Sequence, residues 1–240
     1  MHPELQVIRD ANKVIVISDG MKNDFGTIFH RDYEVITNGF DEDDLPEKTI
    51  VTDNKFSVAH IGSLVKSRNP EVLWKVLQDL AKNHSQFAND LEIKLVGKVD
   101  FFVSEAIEKA GLAGFVKKIE YLPHDKVIEE QMKSQVLLLL INNTPNAGMI
   151  LTGKFFEYMA TRRPILCIGP ENGDAADIIR ETGCGFVSGF DDDKTLKNNI
   201  LKLYDDFKRG TTKLNFCKID QYSRRTLTQK LSEILTSVAG

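Results

Sequence analysis

Lys154 and Glu157 stand one helical turn apart in the stretch GKFFEYMATRRPILCIG, directly behind the loop NNTPNAGMILT. A cation and a carboxylate three residues apart share one face of a helix. At a helix N-terminus they also meet amide N–H groups that lack an intrahelical partner. Gly148 and Gly153 make backbone amides accessible, Thr152 is placed to cap, and Lys154 adds a full charge. Those are the parts of a cradle for a diphosphate. Glu157 lies one turn further in, where a carboxylate can accept hydrogen bonds from two hydroxyls, as a ribose diol requires. The plain alternative is a glutamate that only complements the helix dipole.

Three other loops carry residues of the same kind. In HIGSLVKSRNPEVLW, Gly62 and Ser63 end an apolar run, and Lys66 and Arg68 precede a helical pattern. A strand-end glycine permits close ligand approach, and two cations before a helix start favour a phosphate; the competing reading is a solvated basic loop. LVGKVDFF repeats the arrangement with Gly97 and Lys98, where the glycine can equally serve a tight turn. EYLPHDKVIEE places Leu122 and His124 at a strand end, an apolar rim on which a planar base could pack. His124 and Asp125 can instead simply start the next helix, with Asp125 as its cap. His60, inside an apolar run near the ligand edge, reads as a core histidine, the alternative being a ligand or a base. No G-x-G-x-x-G or Walker A pattern occurs, so neither a dinucleotide nor a P-loop site is signalled.

The elements that must position these loops alternate regularly. After a first strand KVIVIS and a second, YEVITNGF, the acidic stretch DEDDLPEKTIVTDNK reads as a linker. From there FSVAHIG, LEIKLVG, KKIEYL, QVLLLLI, PILCIG and CGFVSG read as strands separated by amphipathic helices, with Pro70, Gly111 and Gly183 at helix boundaries. Such alternation implies right-handed crossovers and an α/β fold, a doubly wound parallel sheet of six strands with helices on both faces. Ligands in such a sheet bind beyond the carboxyl ends of the strands, which is where all four loops fall. The near-continuous apolarity of VLLLLI and PILCI marks central strands.

Composition agrees with a cytoplasmic globular protein. The chain has 240 residues, 42% hydrophobic and 28% charged, with a formal net charge of −4, which argues against nucleic acid as a partner. Cys167, Cys184 and Cys217 are widely spaced without a C-x-x-C pair, so neither a disulfide framework nor a zinc site is expected. No apolar run is long enough to span a bilayer.

The segments VITNGFD, IGSLVKSRNP and GKFFEYMATRRPILCIGP…GDAADIIRETGCGFV together resemble the nucleotide-sugar-binding half of GT-B glycosyltransferases, in particular family four. The resemblance covers essentially the whole chain. It implies that residues 1–45 are the end of an acceptor domain with its connection, 46–54 a linker, 55–220 a Rossmann-like donor-binding domain, and 221–240 a helix returning to the acceptor domain. It implies retaining transfer from a nucleoside-diphosphate sugar to a glycan or lipid-linked acceptor, without a metal, at the inner face of the membrane. Arg68 takes the place of the lysine of the family's basic pair, Glu157 that of the ribose-binding glutamate, and Lys154 with the amides around Thr152 and Gly153 faces the diphosphate. Two positions depart: Ser63 stands where the family has its first basic residue, and Met149 where it has the sugar-contacting glutamate. Transfer needs a second domain across a cleft, so an alternative expectation is a fragment that binds nucleotide and transfers nothing alone. A sugar-nucleotide epimerase shares the fold, but its carboxylates and histidine are not evident here.

Overall fold

The computed structural model describes residues 3–211 and 214–239. Two helices absent from the sequence expectations flank the first strand: α1 (Pro3–Asp10) and α2 (Asp19–Ile28). The latter starts where the Ser18 hydroxyl accepts from the Met21 amide, the arrangement expected of a serine N-cap. Between and behind them β1 (Val14–Val16) and β2 (Tyr33–Val35) form a two-stranded parallel sheet. Both are shorter than the runs KVIVIS and YEVITNGF, because few of those residues find a ladder partner. The acidic linker stretch folds a single 3₁₀ turn, Glu42–Asp44, started by the Asp41 side chain.

The larger sheet is built from β3 (Phe56–Ile61), β4 (Leu91–Val96), β5 (Val116–Ile119), β6 (Val136–Leu140), β7 (Ile165–Ile168) and β8 (Gly185–Ser188). All six strands run parallel in the order β5-β4-β3-β6-β7-β8, so the strand order reverses between β3 and β6. The central strands are β3, β4, β6 and β7; β6 and β7 read as continuous apolar runs because helices cover both faces, while β3 and β4 carry the buried polar residues Ser57, His60 and Lys94. The connecting helices are α3 (Glu71–Asn83), α4 (Ser85–Asp90), α5 (Phe101–Lys109), α6 (His124–Lys133), α7 (Gly153–Ala160), α8 (Asp174–Thr182) and α9 (Asp193–Arg209), with α10 (Arg224–Ala239) closing the chain. The short α4 has no apolar periodicity to announce it; only Phe87 is buried in it.

Alternation along each strand separates two cores. Phe56, Val58, Leu138 and Leu166 pack with Leu73, Leu77, Ile200 and Leu203 of α3 and α9. Ala59, Leu137, Leu139 and Cys167 pack with Phe155, Phe156, Met159 and Ile179 of α7 and α8. Gly183 closes α8 in the left-handed conformation, as a C-terminal glycine does. The ends of the chain cross on this second side: Phe40 bridges Ser223, with Phe40 N–H donating to Tyr222 O and Arg224 N–H to Phe40 O.

Candidate functional site

A cavity of about 560 Å³ opens at the carboxyl ends of β3, β4 and β5, beside the reversal of strand order. Its floor is made by two glycines. Gly62 and Gly97 both have positive φ, +107° and +106°, and a Cβ on Gly97 would lie 3.2 Å from the Gly62 carbonyl. The two strand ends touch backbone to backbone, and side chains there would fill the cavity. The loops are zipped by a bridge between Leu64 and Val99, which leaves the strand ends facing the opening.

Lys154 enters from the first turn of α7. Its Nζ lies 2.7 Å from where a Cβ on Gly62 would stand, so the lysine occupies space that only a glycine leaves free. It forms no ion pair among the described residues. Burial pushes its pKa down to about 8, the Arg68 guanidinium lowers it further, and Glu157 partly opposes both. Thr152 holds the N-cap position but makes no side-chain cap, and its buried hydroxyl has no partner. The expected Thr152 cap is therefore not formed; the Phe155 N–H donates to Thr152 O at 3.1 Å, and the Gly153 and Lys154 amides have no partner among the described residues. Glu157 lines the same wall one turn on, and Gln131 Nε2 of α6 donates to its Oε2 at 3.5 Å.

The opposite wall is apolar: Val96, Leu122 and Val127, with Tyr121 89% exposed at the rim beside Lys98 and Glu120. A flat ring fits such a wall. His60 is buried below the site, its Nδ1 3.3 Å from Leu138 O. A carbonyl only accepts, so Nδ1 carries the proton. Burial, and after it the Lys154 ammonium, pushes this imidazole down to about 3, so it is neutral near pH 7.

The cavity thus gathers Gly62, Ser63, Gly97, Leu122, Lys154 and Glu157 from the sequence expectations. Arg68 stands next to it: it donates to Ser63 O at 3.0 Å and lines a neighbouring cavity of about 180 Å³ with Asn143 and Asp191. Lys66 does not reach the cavity, because its Nζ sits 4.1 Å over the Phe102 ring. His124 does not rim it either; it is the first residue of α6 and pairs with Asp44 Oδ2 at 3.5 Å. Pro123, not Asp125, holds the cap position of that helix. Gly148 and Met149 turn away: Gly148 packs on Gly173, and Met149 Cγ is 2.7 Å from where a Cβ on Gly20 would stand, in α2. Gly153 is exposed with open space around its Cβ position. Val127 and Gln131 were not singled out by sequence; their four-residue spacing within a polar stretch was the available signal.

A parallel sheet wound from both sides, with a cation and a carboxylate beside the reversal of strand order, is a doubly wound α/β fold with its cavity where such folds place their ligands. The model of the family described as glycosyl transferases group 1 matches residues 41–212, well over half of the chain, and the chain belongs to that family. No curated protein matches in sequence. Among solved structures, HepE from Anabaena in complex with UDP is similar, with a TM-score of 0.75 at 20% identity over 96% of this chain and 65% of that one. Sucrose-phosphate synthase from Thermosynechococcus elongatus gives 0.73 at 13% identity, over 98% of this chain and 60% of that one. TarM from S. aureus gives 0.63 at 16% identity, over 96% and 45%. These likenesses establish a shared fold. The chain spans less than two thirds of the length of each.

Proposed function

We propose that the chain is the donor half of a retaining, family-four-like GT-B glycosyltransferase. The observation that carries this is Lys154, a half-buried ammonium without an ion pair among the described residues, held over the bare end of β3, beside the uncapped start of α7 and one turn from Glu157. A half-buried cation beside a guanidinium, with Glu157 only partly opposing the cost, is unfavourable to the fold, and a diphosphate supplies the missing charge. Lys154, Arg68 and the α7 amides at Thr152 and Gly153 stabilise the diphosphate as it leaves, so no metal is required. Glu157 takes the ribose hydroxyls, and the wall of Val96, Leu122 and Val127 takes the base. HepE was solved with UDP and with UDP-glucose, which makes UDP the first nucleotide to try.

Residues 1–45 and 221–240 belong on this reading to an acceptor domain and its return helix, and the sugar goes to a glycan or lipid-linked acceptor held there, at the membrane face. The chain by itself is expected to bind donor and transfer nothing. The test is thermal unfolding with UDP, GDP, ADP and their sugars. Stabilisation should grow as RT ln(1 + [L]/Kd) and shrink in Glu157→Ala. A melting temperature unmoved by the whole panel overturns the reading.

A further inference from the structure

Gln131 lies on the cavity side of α6, one turn beyond Val127, and is 1% exposed. A carboxylate accepts and never donates, so the amide must present Nε2 to Glu157. That orientation turns its carbonyl oxygen elsewhere, and there it is buried without a partner among the described residues. Buried carbonyls in native proteins are nearly always paired. At this position an apolar side chain would suit the fold better, since it would leave no acceptor unmet. The donor is therefore to be sought in what the cavity binds.

We propose that Gln131 is the second arm of a clamp on the ribose of the donor nucleotide. Its N–H steadies Glu157, and its carbonyl accepts the hydroxyl that Glu157 leaves over. This rests on the donor-site reading above. A 2′,3′-diol brings two O–H donors, and the wall offers two acceptors: the Glu157 oxygen not turned to Gln131, and the Gln131 carbonyl. The last torsion of a glutamine is soft, so once the diol has taken over the Glu157 carboxylate the amide turns its carbonyl to the remaining hydroxyl without moving α6. A deoxyribose leaves one acceptor unmet, and sites built on hydrogen bonds reject ligands that lack the donor.

The experiment is calorimetric titration of wild type and Gln131→Met with UDP, GDP and ADP, then with the 2′-deoxy and 3′-deoxy forms of whichever binds tightest. Wild type should prefer the ribonucleotide to one of the deoxy forms by about tenfold, and Gln131→Met by no more than about twofold. The unliganded variant should melt at or above the wild-type temperature; Gln131→Leu is the second variant if methionine packs badly. A side chain with only a structural role would weaken all three nucleotides alike and leave the ratio intact, which overturns the proposal, as does a wild type that does not discriminate. If no nucleoside diphosphate binds at all, the donor reading fails and the clamp with it. That result is distinct from binding without discrimination.

Discussion

Two lysines are drawn in from solvent against the same sheet, Lys94 fully and Lys154 in part, and the protein treats them differently. Lys94 of β4 is 0% exposed and pairs with Asp53 before β3 and with Glu130 Oε2 of α6, the latter at 3.2 Å. Burial pushes Glu130 up, yet Lys133 and Lys94 outweigh it and hold the carboxyl below its ordinary value. Lys154, at the carboxyl edge, has a guanidinium for a neighbour and no ion-pair partner among the described residues. The first lysine completes its charge balance within the fold and ties the linker down, with Asp53 N–H donating to Lys133 O. The second leaves its balance open toward a cavity. Burial of a charge does not tell structure from function; what faces the charge does.

Removing each lysine should pull stability and binding apart. Lys94→Met takes the ion pair from Asp53 and leaves Glu130 with Lys133 alone, and urea unfolding should show a loss of about 3 kcal/mol, with nucleotide affinity of the folded protein unchanged. An equal loss of affinity would erase the contrast. Lys154→Met should do the reverse. Calorimetry should find nucleoside diphosphate affinity down by about 2 kcal/mol, the size of a charge-assisted hydrogen bond, while the melting temperature holds or rises.

A smaller effect lies in pH. The folded Lys154 titrates near 8 against 10.5 for the free side chain, so the unfolded chain binds more protons between those values. At this site the unliganded protein therefore gains stability as pH rises through that window. An anion restores the ammonium, so affinity should be flat below pH 8 and fall by up to about tenfold per unit above it, with proton uptake on binding. Lys154→Met should flatten the profile; a profile that keeps its slope in the variant would assign the titration to another group.

The sheet was legible because its signal is local. Runs such as VLLLLI and PILCI are apolar at every position only where both faces are covered, and Gly62 and Gly97 mark strand ends. The site was legible in its backbone and less so in its side chains. Lys66 and Arg68 look equivalent in sequence, but the exposed Phe102 ring captures the first, and only the second reaches Ser63 O. His124 is drawn to Asp44, a contact set by the path of the linker. Met149 lies against α2 because Gly20 leaves room for it, while the Gly20 N–H donates to Asp174 at 2.9 Å. Those partners come from distant parts of the chain, and no local pattern encodes them. Gln131 hid for a related reason: in DKVIEEQMKS it looks like one more solvated polar residue, yet the helix turns it inward.

The Lys154 ammonium fills the volume that a side chain at position 62 would claim, so these two positions cannot drift independently. An alanine at 62 would face a positive φ and also evict the lysine. A chain carrying that change would gain little from later improvement at 154. In a library randomising both positions, survivors selected for binding should keep glycine at 62 whatever cation they accept at 154. The fragile part of this site is an absent methyl group, one codon change away from being filled.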